Sequence, residues 1–246
     1  MCGRFTLKTP VGNWLADLFP SWSPDQTSIE QSLSGELLRA RYNITPSQQI
    51  LVVRFNSDGS PIIDSMRWGL VPIWADSLSV GYNMINARSE SIADKPSFRP
   101  SLIDKRCVVL ADGYFEWKKL SPKIKEPYWI HTADERVFGM AGLWAENRKI
   151  QNPLSQSNST LSATIITTEA NADVMSVHDR MPALMLNNSQ IAAWLDPSLN
   201  HVDSIERLCE HLRPSETGVL QPRRVSTQVN SPANDTNQLL DPITIQ

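Results

Sequence analysis

A cysteine directly follows the start methionine in the opening residues, Met-Cys-Gly-Arg-Phe. Cells remove an initiator methionine efficiently when the second residue is small, so Cys2 could become the first residue and carry a free amine beside its thiol. The reference pKa values of these groups, about 7.7–8.0 and about 8.5, leave both partly available as nucleophiles near neutral pH. Such a pair can convert an aldehyde first to an imine and then to a thiazolidine ring. The alternative is that Cys2 is simply a small buried residue.

Two polar residues, Asn86 and Arg88, stand two positions apart in the segment Asn-Ala-Arg-Ser-Glu. Their side chains point to one side if the backbone is extended. An amide donor beside a guanidinium could hold a sugar or carbonyl oxygen next to a phosphate. The same composition is also typical of a turn, so this motif alone decides little.

An acidic residue, Glu116, stands among aromatic residues in the segment Gly-Tyr-Phe-Glu-Trp-Lys. If the segment is a strand, Glu116 shares a face with Tyr114 and Lys118, and Phe115 and Trp117 occupy the other face. Apolar walls disfavour the carboxylate and raise its pKa towards that of a general acid. The alternative is an edge-strand glutamate paired with a neighbouring lysine.

The segment Ser-Val-His-Asp-Arg-Met-Pro places His178, Asp179 and Arg180 together. Histidine titrates near physiological pH and can therefore move a proton in either direction. Arg180 could clamp a phosphate. A short helix predicted over 167–175 would end just before His178.

Composition limits the classes that need to be considered. The 246 residues carry a formal net charge of -3 with a pI of about 5.8, which does not indicate a strongly nucleic-acid-binding surface. The three cysteines, Cys2, Cys107 and Cys209, include no Cys-x-x-Cys pair, so we expect a reducing compartment and no structural metal. We find no secretory signal and no apolar stretch of membrane-spanning length.

Short strand-like and helix-like segments interleave along the chain. Apolar and alternating patterns predict strands over 49–55, 66–72, 106–111, 113–119, 127–131, 137–144 and 161–168, with 225–229 as a further candidate. Helices are predicted over 11–19, 96–105, 187–196 and 205–212. No flexible linker divides the chain, so we predict one α+β domain over 1–246 with a curved, mostly antiparallel sheet. Its core would span about 2–240, with a polar surface insert at about 23–35 and a polar loop at 150–160.

Taken together, these motifs resemble the SRAP-domain family of abasic-site-processing proteins from residue 2 to about 240. The segments that carry the resemblance, in the family's order, are MCGRF, YNITPS at 42–47, RWGLVPIW at 67–74, NARSE, the block at 98–117, IITTEAN, HDRMP and VSTQVN at 225–230. The resemblance implies a partly closed barrel flanked by short helices.

It also implies a covalent trap for abasic sites in single-stranded DNA. Cys2, exposed by loss of Met1, would form a thiazolidine with the sugar aldehyde. Asn86 would orient the cysteine and the sugar, Glu116 would assist ring opening and adduct reversal, and His178 would handle protons at the imine. Self-processing at the bond before Cys2 is a further implied activity.

The DNA-binding residues implied by the resemblance fall into three groups. Arg4, Arg88 and Arg180 would hold backbone phosphates, Trp68 would stack near the lesion, and Pro46 and Thr167 would make lesser contacts. A further basic contact could come from Lys95 or from Arg99, and the sequence does not choose between them. The expected partner is single-stranded DNA, with the replication machinery a candidate second partner. We expect a monomer without cofactor, acting in the cytoplasm of a bacterium or the nucleus of a eukaryote.

Two other functions fit part of the pattern. Class II glutamine amidotransferases also begin with a cysteine whose own amine is the base, but their Asn-Gly pair is absent here. A non-catalytic single-strand-binding module would use Trp68 and the arginines and leave Cys2 incidental.

Overall fold

The computed structural model describes residues 2–10, 18–20, 33, 35, 37–56, 60–151 and 158–243. The predicted helix over 11–19, the insert at 23–35 and the centre of the loop at 150–160 lie largely outside these residues.

The described residues form thirteen strands and three α-helices. The strands are β1 Arg4–Leu7, β2 Arg41–Ile44, β3 Gln49–Phe55, β4 Pro61–Trp68, β5 Asn86–Arg88, β6 Arg106–Ala111, β7 Gly113–Lys119, β8 Lys125–Thr132, β9 Phe138–Asn147, β10 Thr160–Glu169, β11 Arg180–Pro182, β12 Leu184–Met185 and β13 Leu220–Arg224. The helices are α1 Arg99–Asp104, α2 Asn188–Leu195 and α3 Ile205–Glu210. None of these described helices is long and apolar enough to cross a lipid bilayer.

One sheet is antiparallel throughout and has the strand order β13-β8-β7-β1-β2. The two faces of β7 differ as its alternation predicts. Tyr114 joins the main core, whereas Phe115 and Trp117 pack into a second, smaller apolar cluster with the C-terminal segment. This sheet therefore directs Tyr114 and Glu116 towards the interior of the molecule.

The second sheet curls into a partly closed barrel of β4, β3, β6, β9 and β10. It closes because β10 pairs with β9 on one side and with the end of β4 on the other. All six residues of β6 and four consecutive residues of β3 are buried, as expected where both faces of a strand are covered. Among the described strands, only the pairings of β10 with β4 and β5 are parallel. The predicted α+β fold with a curved, mostly antiparallel sheet is confirmed.

Several predicted boundaries are wrong. The predicted helix over 167–175 does not form: its first three residues belong to β10, and residues 172–177 form successive turns. The Asn171 side chain donates to the carbonyl oxygen of Glu216, and the Asp173 carboxylate accepts from Gly218 N–H, so both side chains bond to the loop at 215–218. The predicted strand over 225–229 contains instead a 3-10 turn, Thr227–Asn230, and the last strand is β13. Helix α1 begins at Arg99 rather than at residue 96.

Strand β4 ends at Trp68 rather than at Pro72 because Gly69 adopts a φ of 115°. A Cβ on Gly69 would lie 2.5 Å from the carbonyl oxygen of Gly81, so only glycine permits the two segments to approach this closely. Leu70 N–H then donates to Met84 O at 3.1 Å. This contact fixes the chain immediately before β5, which carries two of the predicted site residues.

Candidate active site

Strand β10 brings together three predicted site residues from separate parts of the chain. On one side it pairs in parallel with β5, in the register Ile165 with Asn86 and Thr167 with Arg88. At its end it pairs antiparallel with β11, which places Arg180 opposite Glu169. Asn86, Arg88 and Arg180 therefore meet at the C-terminal end of β10.

Cys2 is attached to this region through Asn86. The side-chain Nδ2 of Asn86 donates to the carbonyl oxygen of Cys2 at 2.7 Å, and Cys2 itself is fully buried. Its Sγ lies 3.8 Å from the carbonyl oxygen of Arg4. The Oδ1 atom of Asn86 is buried and has no hydrogen-bond partner among the described residues. Asn86 thus links the N-terminal segment to the barrel and retains an acceptor for another group.

Glu116 lies on the interior face of β7 and is only 2% exposed. Burial raises its pKa to about 7, because a carboxylate loses its hydration in this position. A carboxyl group with this pKa can give or accept a proton near neutral pH. The prediction that apolar surroundings raise its pKa agrees with the geometry, and the alternative of an exposed edge glutamate does not.

His178 lies next to Glu116, with 3.9 Å between its Nε2 atom and Oε2 of the glutamate. Its Nδ1 atom accepts the backbone N–H of Arg180 at 3.0 Å, so the neutral ring carries its proton on Nε2, towards Glu116. Burial lowers the pKa of His178, which favours this neutral form. Asp179 Oδ1, 3.0 Å from Nδ1, instead favours the charged ring.

The thiol of Cys2 is held in its protonated form. Burial raises its pKa, and the nearby charge of Glu116 raises it further. A thiolate forms more easily at this position when Glu116 is neutral than when it is ionised. The two groups are therefore coupled, and proton transfer at one changes the reactivity of the other.

An open cavity of about 680 Å³ adjoins His178. It is lined by Arg88, Glu169, Met175, His178, Asp179 and Arg180. Arg88 is exposed and forms no hydrogen bond or ion pair with any described residue, so its guanidinium is available to an incoming anion. Arg180, by contrast, forms an ion pair with Glu90. The two guanidiniums of this cavity can bind an anionic group, and the carboxylates of Glu169 and Asp179 on the same lining oppose that attraction.

Trp68 does not occupy the predicted position for stacking. It is fully buried, packs edge-on against Phe5 with 5.1 Å between ring centroids, and donates from Nε1 to Ile85 O at 2.9 Å. The prediction that Trp68 stacks on DNA is therefore wrong in this structure. Trp74 and Tyr82, exposed by 53% and 61%, lie on the segment between β4 and β5, and the guanidinium of Arg67 lies over one face of the Tyr82 ring. The motif RWGLVPIW contains both tryptophans, and only the second lies beyond the end of β4.

Arg4 and Thr167 also have structural partners. Both terminal nitrogens of Arg4 donate to protein oxygens, namely Asn43 Oδ1 and the carbonyl oxygens of Val229 and Asn230. Thr167 is fully buried and accepts from Arg180 through its backbone and side-chain oxygens. These contacts favour an anchoring role for Arg4 and a supporting role for Thr167 over the predicted direct DNA contacts.

The remaining predicted DNA contacts stay predictions. Pro46 is half-buried in the turn after β2, next to Ser47, whose carbonyl accepts from Arg67. Lys95 and Arg99 are both exposed, so the geometry does not choose between them. Within the described ranges no group of three or more His, Cys, Asp and Glu side chains is arranged to hold a metal ion.

The fold and site define a barrel-and-sheet protein with a buried cysteine and a buried carboxyl group of raised pKa, close to an open cavity lined by two arginines. The model of the SOS response associated peptidase family, SRAP, matches residues 1–232. The chain therefore belongs to the SRAP family, as its motifs predict.

The relatives of the chain carry a common name. It is 36% identical over 242 residues to the abasic site processing protein YoqW of Bacillus subtilis, covering 98% of this chain and 99% of that protein. It is 27% identical over 243 residues to the abasic site processing protein YedK of Escherichia coli, covering 99% and 100%. A crystal structure of a protein from Bacteroides thetaiotaomicron matches with a TM-score of 0.76 at 26% identity, covering 99% of this chain and 100% of that one.

Proposed function

We propose that the chain processes abasic sites in single-stranded DNA by forming a covalent bond through Cys2. The observation that carries this proposal is the placement of two adjacent pairs: Asn86 is bonded to Cys2, and Glu116, with its pKa of about 7, lies beside His178. The charge of Glu116 acts on the Cys2 thiol and so connects the two pairs. The relatives support it, because YoqW and YedK are both named abasic site processing proteins.

The first chemical step is opening of the sugar. An abasic deoxyribose exists mostly as a closed hemiacetal, so its ring C–O bond must break and the ring oxygen must gain a proton. The anomeric hydroxyl must at the same time lose its proton, to neutral His178 or to water, as the aldehyde C=O bond forms. A neutral Glu116 can supply the proton that the ring oxygen gains, since its raised pKa keeps it partly protonated at neutral pH.

The second step joins the protein to the sugar. The amine of Cys2 adds to the aldehyde and loses water to give an imine. The sulfur then attacks the imine carbon, the C=N π bond becomes an N–H bond, and the thiol proton is transferred to that nitrogen. His178 and Glu116 are placed to carry protons between these atoms. Reversal by the same steps is part of the proposal.

The free amine requires removal of Met1. We propose that either the protein itself, acting at the peptide bond before Cys2, or a general aminopeptidase performs this cleavage.

Binding uses the exposed part of the site. Arg88 and Arg180 would contact phosphates, and Trp74 and Tyr82 would stack on bases or fill the gap left by the missing base. A covalent product does not depend on tight equilibrium binding, so these few contacts suffice despite the net charge of -3. Contact with replication proteins, which expose single strands, is a further part of this proposal.

The test uses a uracil-containing oligonucleotide treated with uracil glycosylase. We expect a slower band on a denaturing gel that is lost in Cys2→Ala and retained in Cys209→Ala, a matched loss of one thiol. A band that persists in Cys2→Ala would contradict the proposal. Binding by both variants without any covalent band would instead support the non-catalytic single-strand-binding module.

A further inference from the structure

Glu90 forms a two-pronged contact with Arg180 at the edge of the cavity. Its Oε1 and Oε2 atoms lie 2.5 Å from Nη1 and 3.0 Å from Nη2 of the guanidinium. Two parallel N–H···O bonds are also the geometry in which arginine binds a phosphate group. The carboxylate therefore occupies the positions that a DNA phosphate would take.

The rest of the Arg180 side chain is fixed by the protein. Nη2 also donates to the carbonyl oxygen of Thr167 at 2.6 Å, and the side chain is only 13% exposed. Glu90 is 47% exposed and lies on the short 3-10 turn Ser89–Ser91. Glu90 is thus the partner that can turn into solvent, whereas the guanidinium stays where it is.

The second cavity arginine differs. Arg88 is exposed and forms no hydrogen bond or ion pair with the described part of the chain. The DNA-free protein therefore presents one cation that is open and one that is closed by an internal carboxylate. An incoming phosphate meets Arg88 without breaking a hydrogen bond, with only the nearby charge of Glu90 acting on that guanidinium, but must displace Glu90 to reach Arg180.

We propose that Glu90 is an internal phosphate mimic that determines specificity by lowering the affinity of the site for DNA without an abasic lesion. Every single strand that uses Arg180 must first break the two bonds to Glu90. Intact DNA gains nothing further and dissociates, whereas an abasic strand proceeds to a covalent bond that offsets this cost. The inference rests on the proposed function only in taking Arg180 as a phosphate ligand.

The test compares Glu90→Gln with Glu169→Gln. Glu169 lines the same cavity and lies opposite Arg180 in the strand register, so both variants remove one negative charge near the same arginine. The probe is an intact, fluorescein-labelled oligothymidine, with binding followed by anisotropy at low salt. We expect Glu90→Gln to tighten binding about five- to tenfold and Glu169→Gln less than about twofold, because only the first frees a guanidinium.

A double variant shows whether the gain passes through Arg180. In Arg180→Ala, adding Glu90→Gln should change the affinity for oligothymidine less than about twofold, since no guanidinium remains to be freed. A full gain in this background would overturn the proposal. So would weaker binding by Glu90→Gln than by the unmodified protein, since Glu90 would then position Arg180 for DNA.

The abasic substrate separates this inference from the proposed function. If the unmodified protein forms no covalent band but Glu90→Gln still tightens oligothymidine binding, the covalent chemistry fails and the role of Glu90 stands. If the band forms and Glu90→Gln binds oligothymidine like Glu169→Gln, the role of Glu90 fails alone. Equal unfolding transitions of the variants exclude misfolding as the cause.

Discussion

The candidate site has two halves: a buried one, called the dry half, and one that borders the cavity, called the open half. The two halves come from different parts of the chain and differ in burial and charge. Cys2 and Glu116, at most 2% exposed, come from the N-terminal segment and the five-stranded sheet. Arg88 and Arg180 come from β5 and β11 at the barrel and border an open cavity. Burial gives the first half its shifted pKa values, whereas in the second half the exposed Arg88 is open to an anion and Arg180 is paired with Glu90.

Asn86 connects the halves. It lies on the same strand as Arg88, and its amide holds the backbone of Cys2. We therefore expect proton chemistry and DNA binding to be separable, because the two proposed roles fall mainly on different sets of side chains. The variants below test that separation, from the largest expected effect to the smallest.

Removing the acid of the dry half should cost the most activity. Glu116→Gln should slow adduct formation by about 10²-fold or more, because a positioned general acid contributes roughly 10²–10⁴ in rate. Binding of intact single strands should change by less than about twofold. Gel time courses measure the rate of adduct formation, and anisotropy measures the affinity for intact single strands. Glu146→Gln on β9 is the control variant. Equal losses of rate and binding would show that Glu116 is structural.

The two tryptophans of RWGLVPIW, Trp68 and Trp74, should also differ in effect: the first should act on stability and the second on DNA binding. Trp68→Ala should lower the free energy of unfolding by about 3–5 kcal/mol, as expected for truncation of a buried aromatic side chain. Trp74→Ala should leave stability almost unchanged and weaken binding by about 1 kcal/mol or more, through loss of stacking. Denaturant unfolding and anisotropy provide the two measurements. Unchanged binding by Trp74→Ala would remove it from the DNA-binding surface.

The pKa of Glu116 makes a prediction about stability. Because the folded state raises this pKa from 4.5 to about 7, folding favours the protonated form. Its contribution is fully present below about pH 4.5 and is lost as the pH rises through 7. The stability of Glu116→Gln relative to the unmodified protein should therefore increase by up to about 3 kcal/mol when the pH is raised from 4 to 8. Denaturant unfolding at both pH values checks this, and a pH-independent difference would contradict the shifted pKa.

The open half should show the smallest effect and the clearest salt dependence. Arg88→Ala should weaken oligothymidine binding about fivefold at low salt and reduce the salt slope by about 0.7, the loss of one phosphate contact to a single strand. Arg148→Ala, which removes an exposed cation just after β9 that pairs with Glu146, should leave the slope unchanged. A slope that is the same in both variants would exclude Arg88 from phosphate binding.

Local patterns in the sequence predicted the central strands well. The bounds of β3, β6 and β7 match the predictions because their apolar runs and alternation are visible within single segments. Strands β5 and β11 have three residues each, and their extended conformation depends on pairing with β10, so no local pattern indicates them.

The residues of the candidate site, like the strands, could be predicted only in part from the sequence. Motif chemistry and family resemblance indicated Cys2, Asn86, Glu116 and His178, and the fold brings these residues together. The burial of Trp68 and the pairing of Arg180 with Glu90 depend on contacts between distant segments, so composition and spacing could not reveal them.

The central claim is that the reactive group is the free aminothiol of Cys2. The most direct measurement is the intact mass of the protein, before and after incubation with abasic single-stranded DNA, for the natural chain and for a variant with one residue inserted between Met1 and Cys2. We predict that the natural chain lacks methionine and gains the mass of the DNA less one water, and that the blocked variant gains nothing. An adduct of undiminished yield on the blocked variant would contradict the account.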